Sequence, residues 1–201
     1  MKKLTGLFIV SLLFLSTATS LVVYADKDTE GEVGYVAGEL EFDSSGNLPD
    51  NLNFGEHPLQ TTAAEQWIAT STGNQEDDQT TGSIDVLDNR GDPDATWAVK
   101  LVQAEQFKAG VHALTGAALT LNFGTVTNNL SQLPVISASP LTISVLNTEI
   151  DIMTAGTGQG AGETSRPIDQ FTLNIPANTE KVAEEYTTTL NWIFSSTPTE
   201  P

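Results

Sequence analysis

The sequence predicts an all-β, β-sandwich-like single domain of Greek-key type, with long loops and at most short helices. Three observations carry this expectation. Apolar and polar residues alternate in several short runs, the period of a half-buried strand. Proline and glycine punctuate those runs, at Pro134, Pro140, Pro167, Pro176 and the stretch 156–162 (GTGQGAG). Threonine is abundant and strong helix formers are sparse.

Taken in order, 36–42 (VAGELEF) is a plausible first strand, and 74–81 (NQEDDQTT) is a polar loop. Residues 84–87 are short and β-branched, and 96–102 (TWAVKLV) alternates. So, for the most part, do 117–123 (AALTLNF), 141–146 (LTISVL), 171–175 (FTLNI) and 186–194 (YTTTLNWIF). Only 61–70, 104–109 and 180–185 have the composition of short helices. The stretch 156–162 is glycine-rich but lacks a Lys-Ser/Thr ending or dinucleotide spacing, so it reads as a mobile surface loop.

Composition excludes several functions. The 201 residues contain 26 Asp+Glu against eight Lys+Arg, a net charge of −18. Such a chain is repelled by phosphate backbones and by anionic bilayers, so no nucleic-acid partner is expected. There is no cysteine, which removes disulfides, thiolate metal sites and cysteine nucleophiles. The two histidines, His57 and His112, sit in polar segments with no Gly-x-Ser-x-Gly elbow nearby. Carboxylates cluster at Glu76-Asp77-Asp78 and at Asp85, Asp88, Asp92 and Asp94, but no EF-hand spacing is present. They read as a solvated acidic face. No enzyme, cofactor or metal site is expected.

The N-terminus reads as an export signal. Lys2 and Lys3 precede the apolar run 7–15 (LFIVSLLFL), and Val23-Tyr24-Ala25 is an acceptable peptidase site. Cleavage is expected after Ala25, leaving an acidic arm over 26–32 and a domain over 33–201. Cleavage removes two lysines and no acid, so the remainder is more acidic still. With no cysteine for lipidation and no second apolar segment, no membrane span is expected after cleavage. The expected location is extracellular, on a cell surface.

Two tryptophans stand in matching contexts. Residues two apart on a strand share a face, so Trp97, Val99 and Leu101 line one side of their strand. Tyr186, Thr188, Leu190, Trp192 and Phe194 do the same on theirs. Each patch is either ordinary core or an exposed aromatic stripe, and periodicity alone leaves both open.

At these residues the sequence resembles the WxL domain, a cell-surface module of low-GC Gram-positive bacteria. Val86-Leu87-Asp88-Asn89-Arg90-Gly91 followed by Thr96-Trp97-Ala98-Val99 is similar to its first signature block, and Phe107 and Leu114-Thr115-Gly116-Ala117 continue it. The second block is 186–194, closing on Pro198. Residues 156–162 and 171–176 also fit. The third motif positions depart from leucine, being Val99 and Phe194. The resemblance implies non-covalent attachment to the cell wall, with peptidoglycan as ligand, within a complex of other WxL-domain or WxL-interacting surface proteins. Trp97, Val99, Trp192 and Phe194 are then the expected wall- or partner-binding residues. Asp88, Arg90, Gly91, Tyr186 and Leu190 support them. Arg90 is expected to pair bidentately with a nearby carboxylate and fix the loop before the Trp97 strand. Two alternatives remain open: a protein–protein assembly subunit held indirectly, or a domain whose tryptophans are core and whose interface lies on loops such as 74–81.

Overall fold

The computed structural model describes residues 30–196. The expected signal segment, the first part of the acidic arm and Pro198 lie outside them. The chain divides into two compact units between Tyr35 and Val36. Of the first unit, residues 30–35 are described, and all are exposed.

Among the described residues of the second unit the only regular elements are strands. They are β1 Leu40–Phe42, β2 Glu65–Ile68, β3 Gly82–Asp88, β4 Trp97–Gln103, β5 Lys108–Ala109, β6 His112–Ala113 and β7 Ala118–Phe123. There follow β8 Thr127–Asn128, β9 Val135–Ile136, β10 Leu141–Thr142, β11 Ile150–Ala155, β12 Gly162–Ile175 and β13 Leu190–Ser196. The larger sheet runs β1-β3-β12-β7-β10, with β2 and β8 also paired to β12. The smaller sheet runs β13-β4-β11-β9, and β5-β6 is a separate ribbon. Every pairing between these strands is antiparallel.

The architecture is all-β and sandwich-like. The six longest strands alternate between sheets along the chain: β3, β7 and β12 lie in one, β4, β11 and β13 in the other. A single apolar core lies between them. Ile84, Val86, Leu119, Leu121, Phe123, Ile168, Phe171 and Leu173 come from the larger sheet, and Trp97, Val99, Leu101, Met153 and Ala155 from the smaller. Their alternation with polar neighbours is what makes each strand one-sided.

The described residues contain no helix, which corrects the three short helices allowed above. Residues 65–68 pair with the end of β12 instead, Trp67 standing opposite Leu173. Good helix propensity over a few residues is worth less than a ladder place that also packs an indole on the core.

Strand β12 is longer than expected and runs through Pro167, which had read as punctuation. In an antiparallel ladder a residue's N–H and C=O face the same neighbour. The Pro167 carbonyl accepts from Gly124 N at 3.0 Å, so the missing N–H falls in the gap between β8 and β7. Pairing with β3 continues past it, Pro167 opposite Ser83.

Beside this proline lies a feature with no signal in the sequence. Arg166 is 1% exposed. Its guanidinium donates to Ile152 O at 2.7 Å, Ser137 Oγ at 2.9 Å and Ser137 O at 2.8 Å. It also lies 3.9 Å above the Phe123 ring centre. One side chain thus joins β12 and β7 of the larger sheet to β11 and the segment after β9 in the smaller. Burial pushes the guanidinium down to about 10, so it stays charged at neutral pH.

Candidate functional site

The two signature blocks pair with each other. β13 lies antiparallel beside β4, with Trp192 opposite Leu101, Phe194 opposite Val99 and Ser196 opposite Trp97. The third positions of the two motifs therefore face one another at the centre of the ladder. Where the motif has leucine twice, this chain sets a small side chain, Val99, against a large one, Phe194. Such paired changes conserve volume, the kind of core substitution that is best tolerated.

The motifs differ in burial because their strands differ in position. β4 is flanked by β13 and β11, whereas β13 is an edge. Trp97 is 2% exposed and Val99 0%. Neither presents surface to a ligand, which corrects their expected role in direct contact: both belong to the core. Trp192 and Phe194 are half-buried against that core. The Phe194 ring stacks on Phe42 of β1, with centroids 5.2 Å apart and planes 13° from parallel. It also meets Trp97 at 6.4 Å. This aromatic group ties the β13 edge of one sheet to the β1 edge of the other.

The supporting residues hold the same region. Tyr186 is half-buried, and its hydroxyl accepts from Val182 N at 2.8 Å. Leu190 packs against the core. Gly91 takes φ +71°, in the left-handed region that favours glycine. Asp88 and Arg90 form the expected bidentate pair, with Nε to Oδ1 at 2.9 Å and Nη2 to Oδ2 at 2.7 Å. Arg90 Nη2 also reaches Thr96 O at 3.4 Å, and so fixes the approach to Trp97. Burial alone would raise the Asp88 carboxyl, but the hydrogen bonds and charge of Arg90 outweigh it and hold it below its ordinary 3.8. A depressed folded-state value stabilises above the ordinary value and is lost as the pH falls below it. Asp88→Asn is expected to cost about 2 kcal/mol near pH 7. In melting curves from pH 7 to 2.5, its deficit against wild type should shrink below pH 3.8.

The glycine-rich stretch is built in and is not the mobile loop expected. Gly158 N donates to Pro93 O at 2.9 Å and Gly160 N to Gln132 O at 2.9 Å. The Gly160 carbonyl accepts the Trp97 indole N–H at 3.2 Å. Gly160 has φ +70°, and a Cβ there would lie 2.6 Å from the Trp97 ring and 2.7 Å from Ala155 Cβ. Gly160→Ala is therefore expected to lose about 2 kcal/mol through strain and displacement of the indole. Thermal unfolding checks this; an unchanged melting temperature would show that the contact is slack.

A shallow depression of about 410 Å³ lies over the start of β4, where Ala98, Thr154, Gly156 and Ser195 are among its lining residues. The loop 74–81 is exposed at its tip and pinned at its base, where Ser71 N donates to Asp78 O at 3.0 Å. Among the described residues no group of three or more His, Asp or Glu side chains could hold a metal ion, and no helix is long and apolar enough to cross a membrane.

The family model of the WxL domain, described as surface cell wall-binding, matches residues 24–198. The chain belongs to the WxL family. The match takes in every strand of both sheets, the paired signature blocks and the loop under Trp97. Binding to the cell wall at the cell surface is the role this WxL domain carries. No curated protein and no solved structure matches the chain.

Proposed function

We propose that this protein is secreted and holds itself on the Gram-positive wall by non-covalent binding to peptidoglycan, as one member of a multi-protein surface complex. The observation that carries this reading is the match to a wall-binding family over residues 24–198, the whole of the folded body. In this reading residues 1–25 are the export signal, 26–32 an acidic arm and 33–201 the wall-binding domain. The protein binds and does not catalyse. Trp192 and Phe194, half-buried on edge strand β13, make direct contact, while Trp97, Val99, Asp88, Arg90 and Gly91 act by holding that edge in place. Extraction of intact cells tests the non-covalent link. Concentrated chaotropic salt should release the protein at its mature mass; release only after digestion of the wall would overturn it.

One observation favours a second reading, an assembly subunit retained through a partner protein. Val135 and Ile136 on edge strand β9 are 66% and 42% exposed, and Leu130 and Leu133 before them are also exposed. Exposed apolar clusters of this kind mark protein contacts. In that case the purified protein alone has no affinity for the wall.

A further inference from the structure

The outer face of the larger sheet carries a second, chemically distinct surface, around the C-terminal half of β12. Strands β2, β12, β7 and β10 lie side by side there, and most of their apolar residues turn inward. The outward residues are amides and hydroxyls: Gln66, Thr120, Asn122, Gln170, Thr172 and Asn174. They line a depression of about 380 Å³, completed by Thr142 and by two apolar residues, Ile68 and Pro140. None of these nine is ionisable. Elsewhere charge is plentiful: the other sheet's outer face carries Lys100 with Glu149 at 2.7 Å, and Asp85 stands on β3 of the same sheet.

The side chains of this face are held by one another. Gln66 Nε2 donates to Asn174 Oδ1 at 2.9 Å, and Asn174 Nδ2 to Thr120 Oγ1 at 3.2 Å. Thr120 and Thr142 share a hydroxyl contact at 2.9 Å. Asn122 Nδ2 and Thr172 Oγ1 both donate to Gln170 Oε1, at 3.1 and 3.3 Å. The network fixes rotamers before any ligand arrives, which lowers the ordering cost of binding. It still leaves Gln66 Oε1 and Asn122 Oδ1 free to accept, and one N–H on each of Gln66, Asn122 and Gln170 free to donate.

We infer that this face binds an uncharged glycan strand, reading its hydroxyl and acetamido groups with paired amide donors and acceptors. The occupant follows from the chemistry. A charged ligand would find no counter-charge in the lining. An apolar peptide or lipid would leave the amides unpaired. Strand addition to this half of β12 is closed, because it is already paired on both flanks, to β2 and to β7. Four strands at ~4.8 Å spacing give a face about 14 Å across, long enough for several sugar units. Ile68 and Pro140 offer the apolar surface on which ring faces pack. The biological source of such a strand, the glycan backbone of the wall, rests on the reading proposed above.

The test is titration of the full-length, isotope-labelled protein with a β-1,4-linked N-acetylglucosamine hexamer, followed by amide resonances. Saturable shifts confined to 66–68, 118–123, 141–142 and 170–174 are expected. The double variant Gln66→Ala/Asn122→Ala should weaken binding about tenfold or more, as expected for two lost polar contacts. Thr142→Glu, at an exposed position, places one charge on the neutral face and should do the same with the melting temperature unchanged. No shifts, shifts centred elsewhere, or affinity untouched by either variant would overturn the inference. Sedimentation with purified wall sacculi separates the two proposals. If wild type and variants sediment alike, wall attachment stands and this face is not its glycan site. If wild type fails to sediment while hexamer binding is variant-sensitive, the face binds glycan and the attachment reading fails.

Discussion

Trp97→Ala is expected to destabilise the domain by about 4 kcal/mol, the middle of the range for a buried aromatic. The indole is 2% exposed at the centre of the smaller sheet. Its removal leaves a cavity between Val99, Phe194 and Ala155, and orphans the Gly160 carbonyl. The glycine loop, shaped around the ring, then has nothing to close against. Since 1 kcal/mol moves the melting temperature by ~2–4 °C in a domain of this size, the loss is about 10 °C. Trp192→Ala should cost less than half as much, because that ring is half-buried on an edge strand. Equal losses at the two sites would contradict the burial difference. A Trp97→Ala protein with unchanged melting temperature but no wall binding would return this residue to the surface role first expected of it.

Arg166→Ala is expected to have the second large effect, a loss of about 3 kcal/mol. The guanidinium has no carboxylate partner among the described residues; it is held by two carbonyls, one hydroxyl and the face of Phe123. Removing it takes from the Ser137 carbonyl its guanidinium donor, at about 1–3 kcal/mol for an unsatisfied group, while Ile152 O loses one of two donors and still accepts from Ser137 N at 3.0 Å. It also unties the segment after β9 from β12. Arg166→Lys should recover little, because one ammonium cannot reproduce a planar fork reaching three acceptors and a ring. Urea unfolding of the three proteins measures this. A lysine variant as stable as wild type would mean that charge, and not geometry, is what the site requires.

Much of this fold was legible in the sequence, and the exceptions have physical causes. β3, β4 and β7 lie where alternation placed them, because each keeps one face buried throughout. β11 gave no such pattern: a register shift between Asp151 and Met153 puts Ile152 and Met153 side by side in the core. The first half of β12 was hidden by Pro167 and by glycines that read as a loop. Of the five two-residue strands only β10 falls in a run that alternation marked; β5, β6, β8 and β9 are set by neighbours and not by their own composition. At the site, the sequence placed Trp97, Val99 and Leu101 on one face, and predicted the carboxylate clasp on Arg90. It could not tell core from rim, since both tryptophan motifs have the same alternation and only sheet order distinguishes an inner strand from an edge. Arg166 left no trace, because nothing local marks an arginine as buried.

The protein itself, with no partner, is expected to bind the wall. Purified protein should be mixed with sacculi stripped of teichoic acid, with and without EDTA, and sedimented over a range of concentrations. Saturable co-sedimentation that EDTA does not change is the expected result. Protein that stays in the supernatant under every condition would contradict it, and would place retention on another surface protein.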